Sequence, residues 1–333
     1  MVRATWLWTC CLAAFAAAAA PTTYPLRYRF STGDVLIYET KTSALGKLAV
    51  QVNGENRHAP LPVGLDICDR TRYEVKSMAD DGTATVEIRL MFLSGGSSIP
   101  GQFLLELERL ADGVSVRRGD AQWKLPLPEA GKPTPGEVTE AFGGWDPLGL
   151  LAPCQVTITP AGLIKPKSGA PWVKHLATLP SFGQLAAYFQ PFGQALPELP
   201  GRNLELGQEW EQPRTVPLPG DAAKTYSLDV LFALANRQTM GPFETVKISF
   251  DGATTVQDEP IRLTVPGSGP LDMKVQTLTH RLTGAYNLSP EQGRLVDHSL
   301  RSEVNCQSRG GPNNSIFIDS SIIVEAAMNL LAP

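Results

Sequence analysis

The sequence predicts a mainly β fold with a small helical insert. The expected form is a large curved antiparallel sheet, or half-barrels, weakly duplicated and wrapped around central short helices. Three observations predict it. Apolar residues alternate with polar ones over long stretches, as at Ala84, Val86, Ile88 and Leu90, which is the period of a half-buried strand. Glycine turns such as Asp81-Gly82 and Asp112-Gly113 break those stretches and supply the positive φ that hairpins need. One apolar segment, 171–200, reads as helix and separates two β regions, 21–170 and 201–333.

The chain opens on MVRATWLWTCCLAAFAAAAA. Arg3 gives a positive start, Trp6 to Ala20 an apolar stretch, and the alanines offer small-residue cleavage sites. Residues 1–20 therefore read as a signal peptide cut within Ala16 to Ala20, and the protein is expected outside the cytoplasm, periplasmic or secreted. The apolar run is too short for a comfortable membrane span. Leu7-Trp8-Thr9-Cys10 is a poor lipidation motif, so Cys10 and Cys11 are expected to leave with the leader.

Of 333 residues, about 313 remain, near the upper limit for one hydrophobic core. One large β domain and two packed halves both stay open. A net charge of −4 carries no basic nucleic-acid footprint and no acidic tail. The 30 glycines and 28 prolines suit many strands joined by turns. Cys68, Cys154 and Cys306 fit no metal spacing; one bridge with a spare thiol, or three small buried side chains, are both open.

Taken in order, Tyr24 to Thr42 reads as strand, turn, strand, with Tyr28/Phe30 and Val35/Ile37 flanking Ser31–Asp34. Leu45 to Val52 continues it, and Asn53 to Pro62 is loop. Arg72 to Leu93 is the clearest hairpin, turning at Asp80-Asp81-Gly82. Phe103 to Gly119 turns at Ala111-Asp112-Gly113, and Cys154 to Lys167 at Pro160-Ala161-Gly162. Between these two, 122–153 is an irregular Pro/Gly-rich insert ending in the apolar Phe142–Leu148. A loop of that length is functional or mobile, and its tip either packs on the sheet or serves as a lid or contact surface.

Segment 171–200 carries two prolines, Pro180 and Pro191, that break a helix when placed beyond its first turn. Two short helices follow, Trp172 to Leu179 and Ser181 to Gln190, and then an extended exit through Pro197 and Pro200. Trp172, Leu176 and Leu179 share a stripe flanked by Phe182 and Phe189. With Leu185 and Phe192 these are the candidate ligand-binding residues, since an apolar concavity is the default site when polar groups converge on it. Filling the core is their ordinary role.

Beyond the centrepiece, Leu204 to Val216 contains Leu206-Gly207-Gln208-Glu209-Trp210, which echoes Thr32-Gly33-Asp34-Val35-Leu36. Tyr226 to Phe250 matches the Arg72 hairpin. Val256 to Pro270 reads as short strand and turn. Met273 to Val304 is a hairpin across Ser289–Gly293, and Ser315 to Met328 a strand pair or one bent strand. The order strand, long hairpin, Gly-turn hairpin occurs on both sides of the centrepiece, a weak duplication of the kind that must be sought before a fold is named.

Tyr28-x-Phe30-x-x-Gly33-Asp34-x-x-x-Tyr38, Asp81-Gly82-Thr83-Ala84-x-Val86, and Leu196-Pro197-x-Leu199-Pro200 leading to Gly207-Gln208-x-Trp210 together resemble an uncharacterised bacterial family of exported β-rich proteins. That family is similar to the LolA-like half-barrel group of lipoprotein carriers. The resemblance implies a curved sheet that cups helices and an apolar ligand, with no catalytic residue. Insert 122–153 and Gln208, where Asp is the commoner residue, depart from the pattern.

No HExxH, paired CxxC, P-loop or GxGxxG motif occurs, so no cofactor and no metal are expected. The histidines are scattered. His58 reads as solvated surface, His175 carries no assigned role, and His280 and His298 read as a cross-strand pair of surface histidines. The expected function is binding of a lipid-like or other apolar ligand by a non-enzymatic exported protein. A structural or protein-interaction module of the cell envelope, with the Gly143–Leu148 loop as contact surface, is the alternative. A hydrolase without a recognisable motif is disfavoured.

Overall fold

A computed structural model of the protein describes residues 22–56, 59–97, 105–127, 134–142, 146–168, 196–265 and 269–331. The first half supplies β1 (Thr23–Pro25), β2 (Val35–Val52), β3 (Glu55–Asn56), β4 (Leu61–Met78), β5 (Ala84–Ser97), β6 (Leu105–Arg109), β7 (Val114–Arg118), β8 (Ala121–Leu125), β9 (Cys154–Ile158) and β10 (Ile164–Ser168), with α1 (Gly136–Ala141) after β8. The second half supplies β11 (Asn203–Glu205), β12 (Glu209–Leu218), β13 (Asp221–Met240), β14 (Phe243–Val265), β15 (Gly269–Ser289), β16 (Arg294–Gly310) and β17 (Ile316–Leu331). Fifteen of the strands form one antiparallel sheet, ordered β12-β13-β14-β15-β16-β17-β2-β4-β5-β6-β7-β8.

The sheet is open: β12 and β8 end the order and do not pair with each other. Pro213 and Pro217 lie in β12. A proline cannot donate to a ladder, so an edge is where a sheet tolerates it. The two β regions meet where β17 pairs with β2, placing Ala326 opposite Thr42.

Strict alternation fixes which way each side chain points. On β16, His298, Ser302, Val304 and Cys306 are buried while Ser299, Arg301, Asn305 and Gln307 are exposed. The exposed face carries charged cross-strand pairs, such as Arg301 with Glu325 at 2.5 Å and Arg281 with Asp251 at 3.1 Å. The strands are long, 23 residues in β14, and a strand of that length twists and coils. Register shifts interrupt the ladders at Arg70/Thr71, Leu234/Asn236 and Val275/Thr277, where an extra residue bends the strand. At Gly284 a Cβ would lie 2.3 Å from the Ser299 carbonyl oxygen and 2.4 Å from Phe250 Cζ. Only glycine fits that approach.

The buried face carries two cores. One gathers Tyr38, Tyr73, Val86, Trp210, Leu228, Phe232, Phe250 and Tyr286. The other gathers Ala44, Leu65, Leu93, Leu107, Val116, Ile322 and Val324. Leu282 and Leu300 touch both. The first core is covered by extended straps. Tyr28 donates its backbone N–H to the Pro160 carbonyl at 2.7 Å and its hydroxyl to the Pro197 carbonyl at 2.9 Å, and Leu199 N–H reaches Ala161 O at 2.7 Å. β1 and β11 pair with each other apart from the main sheet. The second core is covered by α1 and a 3-10 turn, Pro147–Leu151, which bury Val138, Leu148, Leu150 and Leu151. Asp146 caps that turn, accepting from Leu148 N–H at 3.0 Å.

β5 serves both cores. Its first half, Ala84–Ile88, pairs with β9, and its second half, Phe92–Gly95, pairs with β6. The fork coincides with the register shift against β4.

The echoed motifs fold bond for bond. Gly33 and Gly207 have φ of 90° and 85°. Gly33 N–H reaches Val75 O at 2.9 Å, and Gly207 N–H reaches Leu234 O at 2.7 Å. Asp34 accepts from Ser31 N–H and Gln208 from Glu205 N–H, each at 2.9 Å. The amide oxygen of Gln208 thus does what the Asp34 carboxylate does, which accounts for the departure at that position.

Several sequence expectations change. Tyr28 and Phe30 lie in an irregular strap, where the backbone N–H of Tyr28 goes to Pro160 O and that of Arg29 to Gly293 O instead of to a ladder. Residues 256–265 continue β14, and 269–270 begin β15. Insert 122–153 holds part of β8, α1 and the 3-10 turn. Phe142 and Leu148 pack inward. Ile316–Leu331 is a single strand.

Candidate functional site

A cavity of about 520 Å³ opens on the buried face beside the β12 edge. Its apolar floor is Leu228, Phe250, Leu282, Tyr286 and Leu300. Polar side chains line the same space beside Thr215 and the Tyr286 hydroxyl: Glu198 from the strap, Arg214 from β12, His280 from β15 and His298 from β16. Each arrives by register. Arg214 faces Leu228 across β12–β13, and Tyr286 faces His298 across β15–β16.

A ring ladder leads into the cavity from the edge. Trp210 stacks on Phe232 with centroids 5.3 Å apart, Phe250 stacks on Tyr286 at 4.8 Å, and His298 tilts against Tyr286 at 5.6 Å. The Arg214 guanidinium lies over the Phe232 ring, 5.6 Å from its centroid. Gln212, one inward position back along β12, donates its amide to Glu198 at 2.6 Å.

His280 and His298 are 4% and 5% exposed, so they are buried and not the surface pair expected from sequence. They also do not face one another: His280 is registered with Val304. Burial pulls both imidazoles down to about 4, because the charged ring loses its hydration. Burial pushes the Tyr286 hydroxyl up to about 12. His280 is fully partnered. Its Nδ1 lies 2.7 Å from the Tyr226 hydroxyl and its Nε2 2.8 Å from Ser302 Oγ. That chain has the order of nucleophile, base and orienting group, but Ser302 is 2% exposed and does not line the cavity. Its geometry suits a satisfied buried network. Arg214 Nη2 and His298 Nδ1 are different: both are shut off from solvent and have no hydrogen-bond partner among the described residues.

The opposite face carries an open groove of about 900 Å³ along two register rows, with Lys41, Asp66, Arg301 and Glu325 among its residues. It is floored by strand backbone and small side chains such as Ser299 and Ala327. Cys68, Cys154 and Cys306 are unpaired. Among the described residues no group of His, Cys, Asp and Glu is arranged to hold a metal ion, and no helix is long and apolar enough to cross a membrane.

Trp172, Leu176, Leu179, Phe182, Leu185, Phe189 and Phe192, with His58 and His175, lie outside the described residues. So do residues 1–21 and Gly143–Trp145. Arg214, Glu198 and Tyr286 were not anticipated from sequence. A signal for Arg214 exists: Trp210, Gln212, Arg214 and Val216 alternate, so a charge occupies an inward position of an otherwise half-apolar strand face.

No protein-family model and no curated protein sequence matches the chain. Among solved structures, it is similar to lipovitellin, in a structure titled for its lipid–protein interactions, at 11% identity and a TM-score of 0.40. The match covers 91% of this chain and 26% of the lipovitellin chain. It is also similar to an outer membrane channel from Pseudomonas putida F1 at 7% identity and a TM-score of 0.21, over 91% of this chain and 97% of the channel. The scores are too low to rest a function on.

Proposed function

We propose that this is an exported binding protein that takes a lipid-like or other apolar ligand on the buried face of its open sheet, as the LolA-like resemblance implies. The observation that carries the reading is the cavity of about 520 Å³ between Leu228, Phe250, Leu282 and Leu300. It falls within the range of small-molecule sites and pairs an apolar floor with a few convergent polar groups. Leu282 and Leu300 are only partly buried although they sit between two packed cores. Apolar side chains in that position have unfilled contact area for a ligand to cover. Arg214, His280 and His298 bring no nucleophile with them: the lining hydroxyls are Thr215 and Tyr286, and Tyr286 is held protonated by burial. The polar groups therefore serve recognition.

Native mass spectrometry of the protein purified from its own host, with organic extraction of what it carries, tests the reading. The expected result is a co-purifying amphiphile that Leu300→Trp, which fills the cavity, excludes while the far-ultraviolet spectrum stays that of a β protein. A wild-type protein that carries nothing and binds no long-chain amphiphile in titration would sink it.

A further inference from the structure

We infer that the ligand enters head first, with an anionic oxygen group, a carboxylate or a phosphate, seated between Arg214 and His298. This deepens the binding reading above and rests on it.

The two residues come from strands far apart in the sheet order, β12 and β16, and line one cavity. Each has a polar atom that is sealed from water and satisfied by none of the described residues: Nη2 of the guanidinium and Nδ1 of the imidazole. Buried polar groups in folded proteins are hydrogen-bonded with few exceptions, and each exception asks for an explanation. His280, a few residues away on the same face, shows what a satisfied histidine looks like here, with a partner on each nitrogen. Buried polar atoms without a hydrogen-bond partner also occur elsewhere among the described residues, at Glu87, Arg89, Arg109, Arg117 and Trp210, but Arg214 and His298 are the two that line this cavity and so share one space.

The chemistry of the orphans defines the missing partner. A guanidinium only donates, and its fork geometry suits a carboxylate or phosphate. His298 is neutral, so its ring holds one N–H, and in the Nδ1–H tautomer the unpartnered nitrogen is a second donor on the cavity wall. Glu198, the one carboxylate on the wall, is engaged by Gln212 at 2.6 Å and forms no ion pair with Arg214. Its charge repels an anion. The aromatic floor of Phe250 and Tyr286 and the partly covered Leu282 and Leu300 then take the apolar part.

The test uses the delipidated full chain and three ligands of one acyl chain: oleate, oleoyl lysophosphatidate and methyl oleate, titrated by displacement of a fluorescent fatty acid. Wild type is expected to bind at least one anionic ligand about ten-fold or more tighter than the neutral ester. Whether oleate or the phosphate wins identifies the source of the anion. Arg214→Gln should weaken the anionic ligands more than the ester and so erase that preference, and Glu198→Gln should enlarge it. If wild type binds all three equally, the head-group assignment is overturned while the apolar-ligand reading stands. If wild type binds none of them, the apolar-ligand reading falls, and this inference with it. Because the wild-type ranking decides by itself, a variant that fails to fold does not shield the inference.

Discussion

Replacing Asp69 by Asn is expected to change stability in a direction that reverses with pH. Asp69 is on the buried face of β4, 5% exposed, in register with Thr40 and Leu93. Burial pushes its carboxyl from an ordinary 3.8 up to about 7, against the Thr71 hydroxyl, which donates to it at 2.9 Å and pulls the other way. The folded protein therefore keeps this proton until near neutrality, while the unfolded chain loses it near 3.8. Between those values the folded state binds more protons, so its stability falls as pH rises. A displacement of that size corresponds to at most about 4 kcal/mol. Asn keeps the acceptor for Thr71 but adds an amide N–H₂ in a buried place, at a cost of about 1–2 kcal/mol. Asp69→Asn should thus be about 1–2 kcal/mol less stable than wild type near pH 4 and about 2 kcal/mol more stable near pH 8. Urea unfolding of both proteins across that range measures the gap, and comparing the two cancels every other titrating group. A gap that does not move with pH, or that moves the opposite way, refutes the assignment of a charge forced into the core.

The histidines act with the opposite sign. Both titrate near 4 when folded and near 6.5 when unfolded, so stability is expected to fall as pH drops through that window, and His298→Leu should flatten the fall in the same unfolding series. Gly284→Val should cost more than about 3 kcal/mol, since its Cβ meets strand backbone and the Phe250 ring; thermal unfolding reads it. Gly33→Ala and Gly207→Ala should each cost about 1 kcal/mol, and nearly the same amount, because both sit at positive φ in matching turns. Unequal losses would count against the equivalence of the two turns.

Much of the sheet was legible because alternation and turn glycines are local signals. The hairpins at Asp81-Gly82, Asp112-Gly113 and Gly293 turn where the sequence says, and the Gly33/Gly207 echo marks two turns of matching geometry. What the sequence hides is long-range. Nothing near Tyr28 announces that its hydroxyl is spoken for by Pro197, so a strap reads as a strand. The 122–153 insert has prolines enough to look irregular, and its helix is a single short element held by burial of Val138 instead of by periodicity. The cavity was hidden for the same reason. Arg214, His280 and His298 are unremarkable in order of sequence, and only the register of five strands sets them around one space.

The pairing of β17 with β2 has a consequence for how the molecule is made. The rung at the middle of the order is supplied by strands from opposite ends of the described chain, so the flanking ribbons cannot be zipped together until both exist. Meanwhile β2 and β16 each offer a bare row of amides and carbonyls to any neighbour. Slow closure and a hunger for stray strands are the expected habits of such a chain, and a holding chaperone that shields β2 is the kind of helper its assembly calls for.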